Sequence, residues 1–402
     1  MSLRWSCGEL SGWFVPAEPV LAARMAAIVK EATRDTTDRV DYSRRIGNLR
    51  RKLRRTGLSG LLITHLPDVR YLCGFTGSSA ALAITGRRAR LFTDGRYRTQ
   101  AAEEVKTADV EIIARAAAVA AVEWLAAQPS SESAGFDPSH TTVAELSRWR
   151  EALPARLRRT FFAALPNPLV EPLRLVKDEA ELAIMREAAL IGSQLFDYIL
   201  GVLRPGLREV EVAAELEYAA RMAGADGMSF ETIVASGARS ALPHGRATEA
   251  RLPRRGFLTL DFGIIHKGYC SDMTRTVYFG KPRANERAAY EAVLEAQQAA
   301  VDAVAAGVRC GDVDEAARSV LRRAGLAEAF SHSTGHGVGI EIHEPPRVAS
   351  GQTTRLEAGM VVTIEPGVYL PGQFGIRIED MVAVTRMGGE ILTPAPKALI
   401  EL

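Results

Sequence analysis

The chain has few cysteines, and none of them belongs to a paired motif. Its 402 residues include four, Cys7, Cys73, Cys270 and Cys310, with no Cys-x-x-Cys spacing among them. This pattern gives no case for a disulfide framework, and reduced thiols in a cytoplasm are the simplest interpretation. Cys270 lies two residues before Asp272, but a buried structural thiol explains it better than a metal ligand.

The chain also lacks an excess of either charge and any long apolar run. Fifty Lys and Arg residues against 48 Asp and Glu residues give a net charge of +2. This balance gives no case for nucleic acid or acidic lipid as a partner, and no apolar run is long enough to span a bilayer. Glu9, Glu18 and two prolines interrupt any signal-peptide pattern near the N-terminus. We therefore expect a cytoplasmic protein without a nucleic-acid or membrane partner.

Length and apolar content predict two domains. A chain of 402 residues with 47% hydrophobic residues exceeds one typical core. We expect an extension of unknown role over residues 1–40, with one amphipathic helix at Leu21–Ala32, and an α/β domain over residues 41–168. Pro166–Arg174 contains three prolines, which predicts a linker. The second domain then covers residues 169–402.

Helices and strands alternate through the first of these domains. Apolar periodicity predicts four helices and five strands there. The predicted helices cover residues 42–56, 96–104, 117–126 and 141–153, and the predicted strands cover residues 60–64, 81–85, 90–93, 110–113 and 134–136.

The second domain contains a similarity between two of its own segments. A helix predicted over Asp178–Leu203 opens with an Asp-x-x-Glu capping box. Leu203–Gly224 then aligns without gaps on Val304–Gly325, 101 positions later. Chance similarity of two Ala-rich helices is the alternative, but we interpret the match as an ancient duplication. Two related halves around a pseudo-twofold axis would bring their strands together at the centre.

Two carboxylates interrupt the apolar pattern of Phe257–Phe279. This segment predicts a β-hairpin that carries Asp261 on one strand and Asp272 on the other. A turn at 266–267 places the two carboxylates directly opposite each other, and a turn at 267–268 makes them diagonal neighbours on the same face. Two buried carboxylates so close are costly unless a cation neutralises them or one keeps its proton.

A second hairpin, Val361–Val384, also carries two carboxylates where the strand pattern favours apolar residues. A loop at residues 371–373 places Glu365 opposite Glu379. With the first hairpin, four carboxylates therefore point inward. Two metal ions that share bridging carboxylates are the natural way to accommodate so much negative charge.

A histidine-rich segment, His332–Pro346, lies between the two hairpins in sequence. It contains His332, His336 and His343, and glycines on both sides of His336 allow close approach of the backbone. Oxygen-rich coordination with one imidazole suits Mn²⁺, Co²⁺, Fe²⁺ or Zn²⁺ better than a tetrahedral structural zinc site does. For His332, a hydrogen-bond partner of the site is an equally good interpretation. We expect three of the histidines outside this segment, His65, His140 and His266, to be ordinary surface or core residues.

Nine short motifs resemble one known family, the pita-bread metallopeptidases, and within it aminopeptidase P and prolidase. The motifs of the second domain are ALPHG at 241–245, LDFG at 260–263, GYCSDMTRT at 268–276, STGHGVG at 333–339, IHEPP at 342–346, TIEPG at 363–367 and GIRIED at 375–380. In the first domain, RYLCGFTGS at 70–78 and LFTDGRY at 91–97 are similar to the smaller domain of this group. The resemblance implies a creatinase/prolidase-type α/β N-terminal domain and an α+β pita-bread catalytic domain with a pseudo-twofold internal duplication.

The resemblance also implies roles for individual residues. Asp272 and Glu379 would bridge two divalent metal ions, most readily Mn²⁺, with Co²⁺ or Zn²⁺ as alternatives. The full implied ligand set is Asp261, Asp272, His336, Glu365 and Glu379, and the residues implied around the substrate are His244, His332, His343 and Arg377. All five ligand positions are intact, which argues against creatinase, a relative of the same fold without a metal. For Arg377, charge compensation through Glu379 or Asp380 is an equal alternative to substrate contact.

These expectations lead to a mechanism and a substrate class. A hydroxide that bridges two ions would attack the amide, with Glu365 as general base and with His343 or His244 stabilising the oxyanion or protonating the leaving nitrogen. The resemblance implies cleavage between an N-terminal residue and proline, in short peptides, by a homodimer that associates through the smaller domain. A non-catalytic peptide-binding protein and another amidohydrolase on the same fold are the alternatives.

Overall fold

A computed structural model describes residues 40–129 and 132–402. The predicted N-terminal extension, with its helix at Leu21–Ala32, lies outside the described residues. Within the described part, no helix is long and apolar enough to cross a membrane. Cys73, Cys270 and Cys310 are free and buried, as expected for structural thiols.

The N-terminal domain is built on a mixed six-stranded sheet with the strand order β4-β3-β2-β1-β5-β6. Alternation along the strands decides which side each residue packs on. In β1, for example, Leu61 and Ile63 enter the hydrophobic cluster on one face of the sheet, and Leu62 enters the cluster on the other. The strands are β1 Gly60–Ile63, β2 Ala80–Thr85, β3 Ala89–Asp94, β4 Asp109–Ile113, β5 Ala134–Phe136 and β6 Phe162–Ala164.

Helices cover both faces of this sheet. The four predicted helices are present, with bounds that differ by two residues at four of their eight ends, and the helix Leu66–Cys73 was not predicted. The predicted linker is more ordered than its prolines suggest, because it contains a short helix that ends at a buried arginine, Arg174. The helices are α1 Tyr42–Arg54, α2 Leu66–Cys73, α3 Arg98–Glu104, α4 Ala117–Ala126, α5 Val143–Glu151 and α6 Glu171–Arg174.

The C-terminal domain packs four long helices against several small antiparallel sheets. The capping box predicted at Asp178 is present, because its side chain accepts from Glu181 N and the Glu181 side chain accepts from Asp178 N. The helices are α7 Glu179–Leu200, α8 Glu209–Met222, α9 Ala284–Ala303 and α10 Cys310–Arg323. The strands are β7 Gly227–Met228, β8 Ile233–Ser236, β9 Gly256–Phe262, β10 Ile264–His266, β11 Tyr269–Cys270, β12 Met273–Phe279, β13 Gly335–Gly337, β14 Glu344–Val348, β15 Val361–Ile364, β16 Gly367–Leu370, β17 Phe374–Arg377, β18 Asp380–Val384 and β19 Gly389–Ile391.

The two halves of this domain repeat the same local structure, which supports the predicted duplication. Gly206 and Gly307 have φ angles of 93° and 92°, a conformation that favours glycine. Each glycine N–H donates to a leucine carbonyl, Leu252 in the first half and Leu356 in the second, at 2.9 and 2.8 Å. Helices α7 and α8 pack on the β8-β9-β12 sheet, and α9 and α10 pack on the half that contains β14, β15 and β18.

The register of the first hairpin differs from the directly opposed alternative. Asp261 pairs with Thr274, and the turn lies at residues 267–268. Lys267 and Gly268 both have positive φ angles, 46° and 74°, which suits the tight turn of a two-residue hairpin. Of the two predicted alternatives, the structure therefore has the diagonal arrangement of Asp261 and Asp272, and the directly opposed one is wrong.

The second hairpin has the predicted register. Ile364 pairs with Asp380 on one side, and Gly367 pairs with Arg377 on the other. Both pairs follow the same register, so Glu365 faces Glu379 across the break between the two ladders. Both hairpins thus direct their carboxylates toward the centre of the domain.

Candidate metal centre and active site

All nine side chains predicted for the site line one cavity. The cavity has a volume of about 800 Å³ and lies where the two halves of the C-terminal domain meet. The site residues along its wall are His244, Asp261, Asp272, His332, His336, His343, Glu365, Arg377 and Glu379. The structure therefore brings the nine predicted side chains together in one place.

A compact group of donor atoms lies at the floor of this cavity. Donor atoms of Asp272, His336 and Glu379 are all within 4.8 Å of one another. The Nε2 atom of His336 lies 3.6 Å from Asp272 Oδ2 and 3.6 Å from Glu365 Oε1. Oxygen donors from two hairpins and one imidazole nitrogen thus surround a common space.

The position of His336 depends on its two neighbouring glycines. A Cβ atom on Gly335 would lie 1.9 Å from the Thr363 carbonyl oxygen, and one on Gly337 would lie 2.1 Å from the Pro345 carbonyl oxygen. Only glycine therefore lets strand β13 pass between its neighbours. The Nδ1 atom of His336 is 3.0 Å from the Gly337 carbonyl oxygen and donates to it, which leaves the Nε2 lone pair directed at the carboxylates.

The carboxylates repel one another strongly. Burial raises the pKa of Asp272 and of Glu379 well above the ordinary range, and the neighbouring carboxylates raise both further. Burial also raises the pKa of Glu365 to about 8, against the opposing effect of the Arg377 guanidinium. Four carboxylates and one nearby guanidinium leave a net negative charge in a buried place, so the donor set fits divalent cations.

Arg377 is the cation of the site, and its partner differs from both predicted ones. Its guanidinium forms an ion pair with Asp261, rather than with Glu379 or Asp380. It also donates to Thr274 Oγ1 at 3.1 Å. Asp380 instead pairs with a different buried cation on strand β12. The predicted charge compensation therefore occurs, but through Asp261, a carboxylate that the prediction did not name.

Tyr369 belongs to the site, and the sequence analysis missed it. Its hydroxyl lies 2.6 Å from Arg377 Nη1, from which it accepts, and 2.9 Å from His332 Nε2, to which it donates. The Nδ1 atom of His332 is 2.8 Å from the Ser333 carbonyl oxygen. Both nitrogens of His332 are therefore engaged, and burial lowers the pKa of this histidine to about 4. This geometry favours the interpretation of His332 as a hydrogen-bond partner of the site.

His244 and His343 are the histidines that face the open part of the cavity. Both are exposed. The ring of His343 lies edge-on to the ring of His336, with 4.5 Å between their centroids. Burial and the neighbouring His244 lower the pKa of His343 below its ordinary value. Near neutral pH, His343 is therefore uncharged and carries one N–H that can donate.

Side chains predicted to lie outside the site do lie outside it. His65 stacks on His140, with 3.6 Å between ring centroids, in the N-terminal domain. His266 is buried beside Glu187, at 3.4 Å. Cys270 directs its thiol toward the Ile340 carbonyl oxygen, and burial raises its pKa to about 12. These residues fit the structural roles expected of them.

Comparison with known proteins decides the family. The model of metallopeptidase family M24 matches residues 183–386, which is half of the chain. The chain belongs to metallopeptidase family M24. A second model, the creatinase/prolidase N-terminal domain, matches residues 45–176. The predicted family and fold class are confirmed.

Relatives of this M24 metallopeptidase cover most of its length. An uncharacterized peptidase of Bacillus subtilis is 38% identical over 369 residues, which is 89% of this chain and 100% of that protein. An Xaa-Pro dipeptidase of Pyrococcus horikoshii is 41% identical over 58% of this chain and 67% of its own length.

Two solved structures of M24-type proteins are similar over nearly the whole fold. An Xaa-Pro dipeptidase from Bacillus anthracis has a TM-score of 0.84 and 40% identity, over 90% of this chain and 100% of that chain. An X-Pro aminopeptidase from Thermotoga maritima has a TM-score of 0.81 and 34% identity, over 88% of this chain and 100% of that chain.

Proposed function

We propose that this chain is an Xaa-Pro peptidase that depends on two divalent metal ions and hydrolyses the bond between an N-terminal residue and proline. The observation that carries the proposal is the convergence of four acidic side chains and His336 on one cavity. The names of similar proteins, both Xaa-Pro dipeptidase and X-Pro aminopeptidase, support the substrate class. We keep the predicted domain ranges, 41–168 and 169–402, as part of the proposal.

The proposed ligands are the five predicted ones. The mutual repulsion of the carboxylates supports two cations, which Asp272 and Glu379 would help to hold. Thr274 Oγ1 donates to Glu379 at 2.8 Å, which fixes the orientation of that carboxylate. Carboxylate and imidazole donors accept Mn²⁺, Co²⁺ or Zn²⁺, with Mn²⁺ as our first choice. When bound, such cations lower the pKa of water and polarise a carbonyl group.

The remaining chemistry falls to side chains of the protein. Glu365 is the proposed general base, since its carboxylate lines the cavity and can accept a proton from attacking water. His343 or His244 would donate to the developing oxyanion or to the leaving nitrogen. Cleavage of the bond before proline releases the secondary amine of proline. This leaving group requires a proton donor. Arg377, held by Tyr369, would orient the Asp261 carboxylate as a ligand.

A short peptide panel tests the proposal. Purified protein is loaded with Mn²⁺, Co²⁺ or Zn²⁺ and incubated with Ala-Pro, Ala-Pro-Ala and Ala-Ala. We expect cleavage only before proline, and none after chelation. Cleavage of the dipeptide alone identifies a dipeptidase, and cleavage of the tripeptide identifies an aminopeptidase. Inactivity of the metal-loaded protein would support a non-catalytic peptide-binding role, and cleavage of Ala-Ala alone would support another amidohydrolase.

The proposal extends to the oligomeric state and the location of the protein. We propose a homodimer that associates through the N-terminal domain and a cytoplasmic location. Light scattering of the purified chain measures the first, with twice the mass of 43.5 kDa as the expected result. Cell fractionation measures the second.

A further inference from the structure

The ring of His343 is not held by hydrogen bonds of its own. Among residues 40–129 and 132–402, no hydrogen bond to this ring is found, and its ring contact is with His336. The backbone around it must therefore determine where the ring lies. That backbone is the short loop between β13 and β14, residues 338–343, and we call it the His343 loop.

A buried carboxylate anchors the His343 loop at its C-terminal end. Glu344, which is 7% exposed, accepts a hydrogen bond from Glu341 N at 3.1 Å, across the loop. A Cβ atom on Gly339 would lie 2.5 Å from Glu344 Oε2, so the carboxylate fills the space beside that glycine. The Gly339 carbonyl accepts from Cys270 N at 2.8 Å, which connects the loop to the metal-binding hairpin.

Two cations from outside the loop hold this carboxylate. Arg174, which ends the predicted linker, forms an ion pair with Glu344 and donates to Glu341 Oε2 at 2.6 Å. Lys177 donates to Glu344 Oε2 at 3.2 Å. Arg174 also donates to Asp68 Oδ1 of the N-terminal domain, at 2.7 Å. One buried guanidinium therefore connects the N-terminal domain to residues on both sides of His343, Glu341 and Glu344.

A purely structural role is the competing interpretation, because buried ion pairs also join domains without any effect on a site. The chain contains such a case. Arg45 of helix α1 is buried and lies 3.1 Å from both Asp178 and Glu181 at the start of helix α7. This second cluster joins the same two domains, but it contains no residue of the His343 loop. Arg45 is therefore a matched control for Arg174.

We propose that Arg174 is a positioning residue that acts through Glu344 on His343. Removal of the guanidinium leaves the buried carboxylates of Asp68 and Glu344 with less positive charge beside them. The loop must then move so that water can reach them. The ring of His343 then loses its place beside the metal-binding residues. The inference rests on the proposed function, since it assigns His343 a part in the reaction.

A double-mutant cycle on kcat/KM tests the catalytic part of the proposal in metal-loaded protein. We expect Arg174→Met to lower kcat/KM by about 10-fold or more in the wild-type background. In the His343→Ala background, the same substitution should lower it less than about 3-fold. Arg45→Met should have the same effect in both backgrounds. Equal effects of Arg174→Met in the two backgrounds would overturn the proposal.

Hydrogen exchange of the His343 loop supplies a readout that does not depend on activity. We expect faster amide exchange at residues 339–344 in Arg174→Met and in the milder Glu344→Gln, with partial recovery in Arg174→Lys. Arg45→Met should leave this loop unchanged. Unaltered exchange in both Arg174→Met and Glu344→Gln would overturn the proposal, even if no peptide were cleaved. If Glu344→Gln alone folds, it takes the place of Arg174→Met in the cycle.

The two proposals fail in different ways. If the metal-loaded protein cleaves no Xaa-Pro peptide, the proposed function fails, and the exchange experiment still decides whether Arg174 holds the loop. If peptides are cleaved but His343→Ala is fully active, the peptidase assignment stands and the positioning role is wrong.

Discussion

The metal-free protein should lose stability as the pH rises through the neutral range. Burial, and to a smaller extent Asp261, raise the pKa of Glu365 to about 8 from an ordinary value of 4.5, against the opposing effect of Arg377. The folded state therefore binds this proton more tightly than the unfolded state does. The resulting stability is fully present below pH 4.5 and is lost as the pH rises through about 8. Asp272 and Glu379 have raised pKa values and contribute with the same sign.

The size of this effect can be worked out for Glu365 alone. A pKa difference costs about 1.36 kcal/mol per unit, so the free energy of unfolding should fall by about 2 kcal/mol between pH 6.5 and pH 8. This is an upper value, because the side chain is 17% exposed. The free energy of unfolding of a typical protein is only about 5–15 kcal/mol, so this loss of stability is large enough to measure. Bound divalent cations should reverse it, since they stabilise the ionised carboxylates.

Urea unfolding of the chelated protein at pH 6.5, 7, 7.5 and 8 measures the effect. The Glu365→Gln variant lacks the titrating group and should show a smaller decline. Glu328→Gln removes an exposed carboxylate that does not line the cavity and should follow the wild type. Stability that is flat or rising across this range, with no difference between wild type and Glu365→Gln, would refute the reasoning.

Two further predictions concern residues around the site. Tyr369→Phe removes the hydroxyl that accepts from Arg377 and should lower the free energy of unfolding by about 1–3 kcal/mol, as measured in urea with bound cations. An unchanged free energy would contradict the hydrogen-bond network. Burial lowers the pKa of His65, but hydrogen bonds with Asp68 and Glu341 raise it to about 9. Its stabilisation is fully present below pH 6.5 and is lost as the pH rises through about 9, so an NMR titration of its ring should give a midpoint near 9, and one near 6.5 would contradict it.

The convergence of four carboxylates on one cavity was predictable because each of them breaks a local pattern. Asp261 and Asp272 occupy positions where a buried strand favours apolar residues, and Glu365 and Glu379 repeat this on the second hairpin. Strand alternation then sends each carboxylate to the inner face. A hairpin register depends on its turn, however, and two turns one residue apart were both consistent with the first hairpin.

Tyr369 was missed, although a signal for it exists in the sequence. It lies four residues after Glu365, across the break between β15 and β16, and side chains at such spacing share one face of extended backbone. The same alternation places Thr274 beside Asp272. Applied to every second residue of both hairpins, this rule would have found the groups that hold Arg377 and Glu379.

The network around Arg174 could not be predicted in the same way. Its partner Glu344 lies 170 positions away, and Asp68 lies 106 positions away in the other direction. No local periodicity connects such residues, because they meet only after the two domains pack. The prolines of residues 166–174 also predicted a linker where the structure has the short helix that ends at Arg174.

The central claim is that five side chains of this M24 metallopeptidase hold two divalent cations that its activity requires. The most direct measurement is the cation content per chain, determined by elemental analysis alongside hydrolysis of an Xaa-Pro peptide as chelated protein is titrated with Mn²⁺. We predict that full activity coincides with two bound cations, and that Asp272→Asn and Glu379→Gln lose both metal and activity. Full activity with fewer than two cations per chain, or in either variant, would contradict the account.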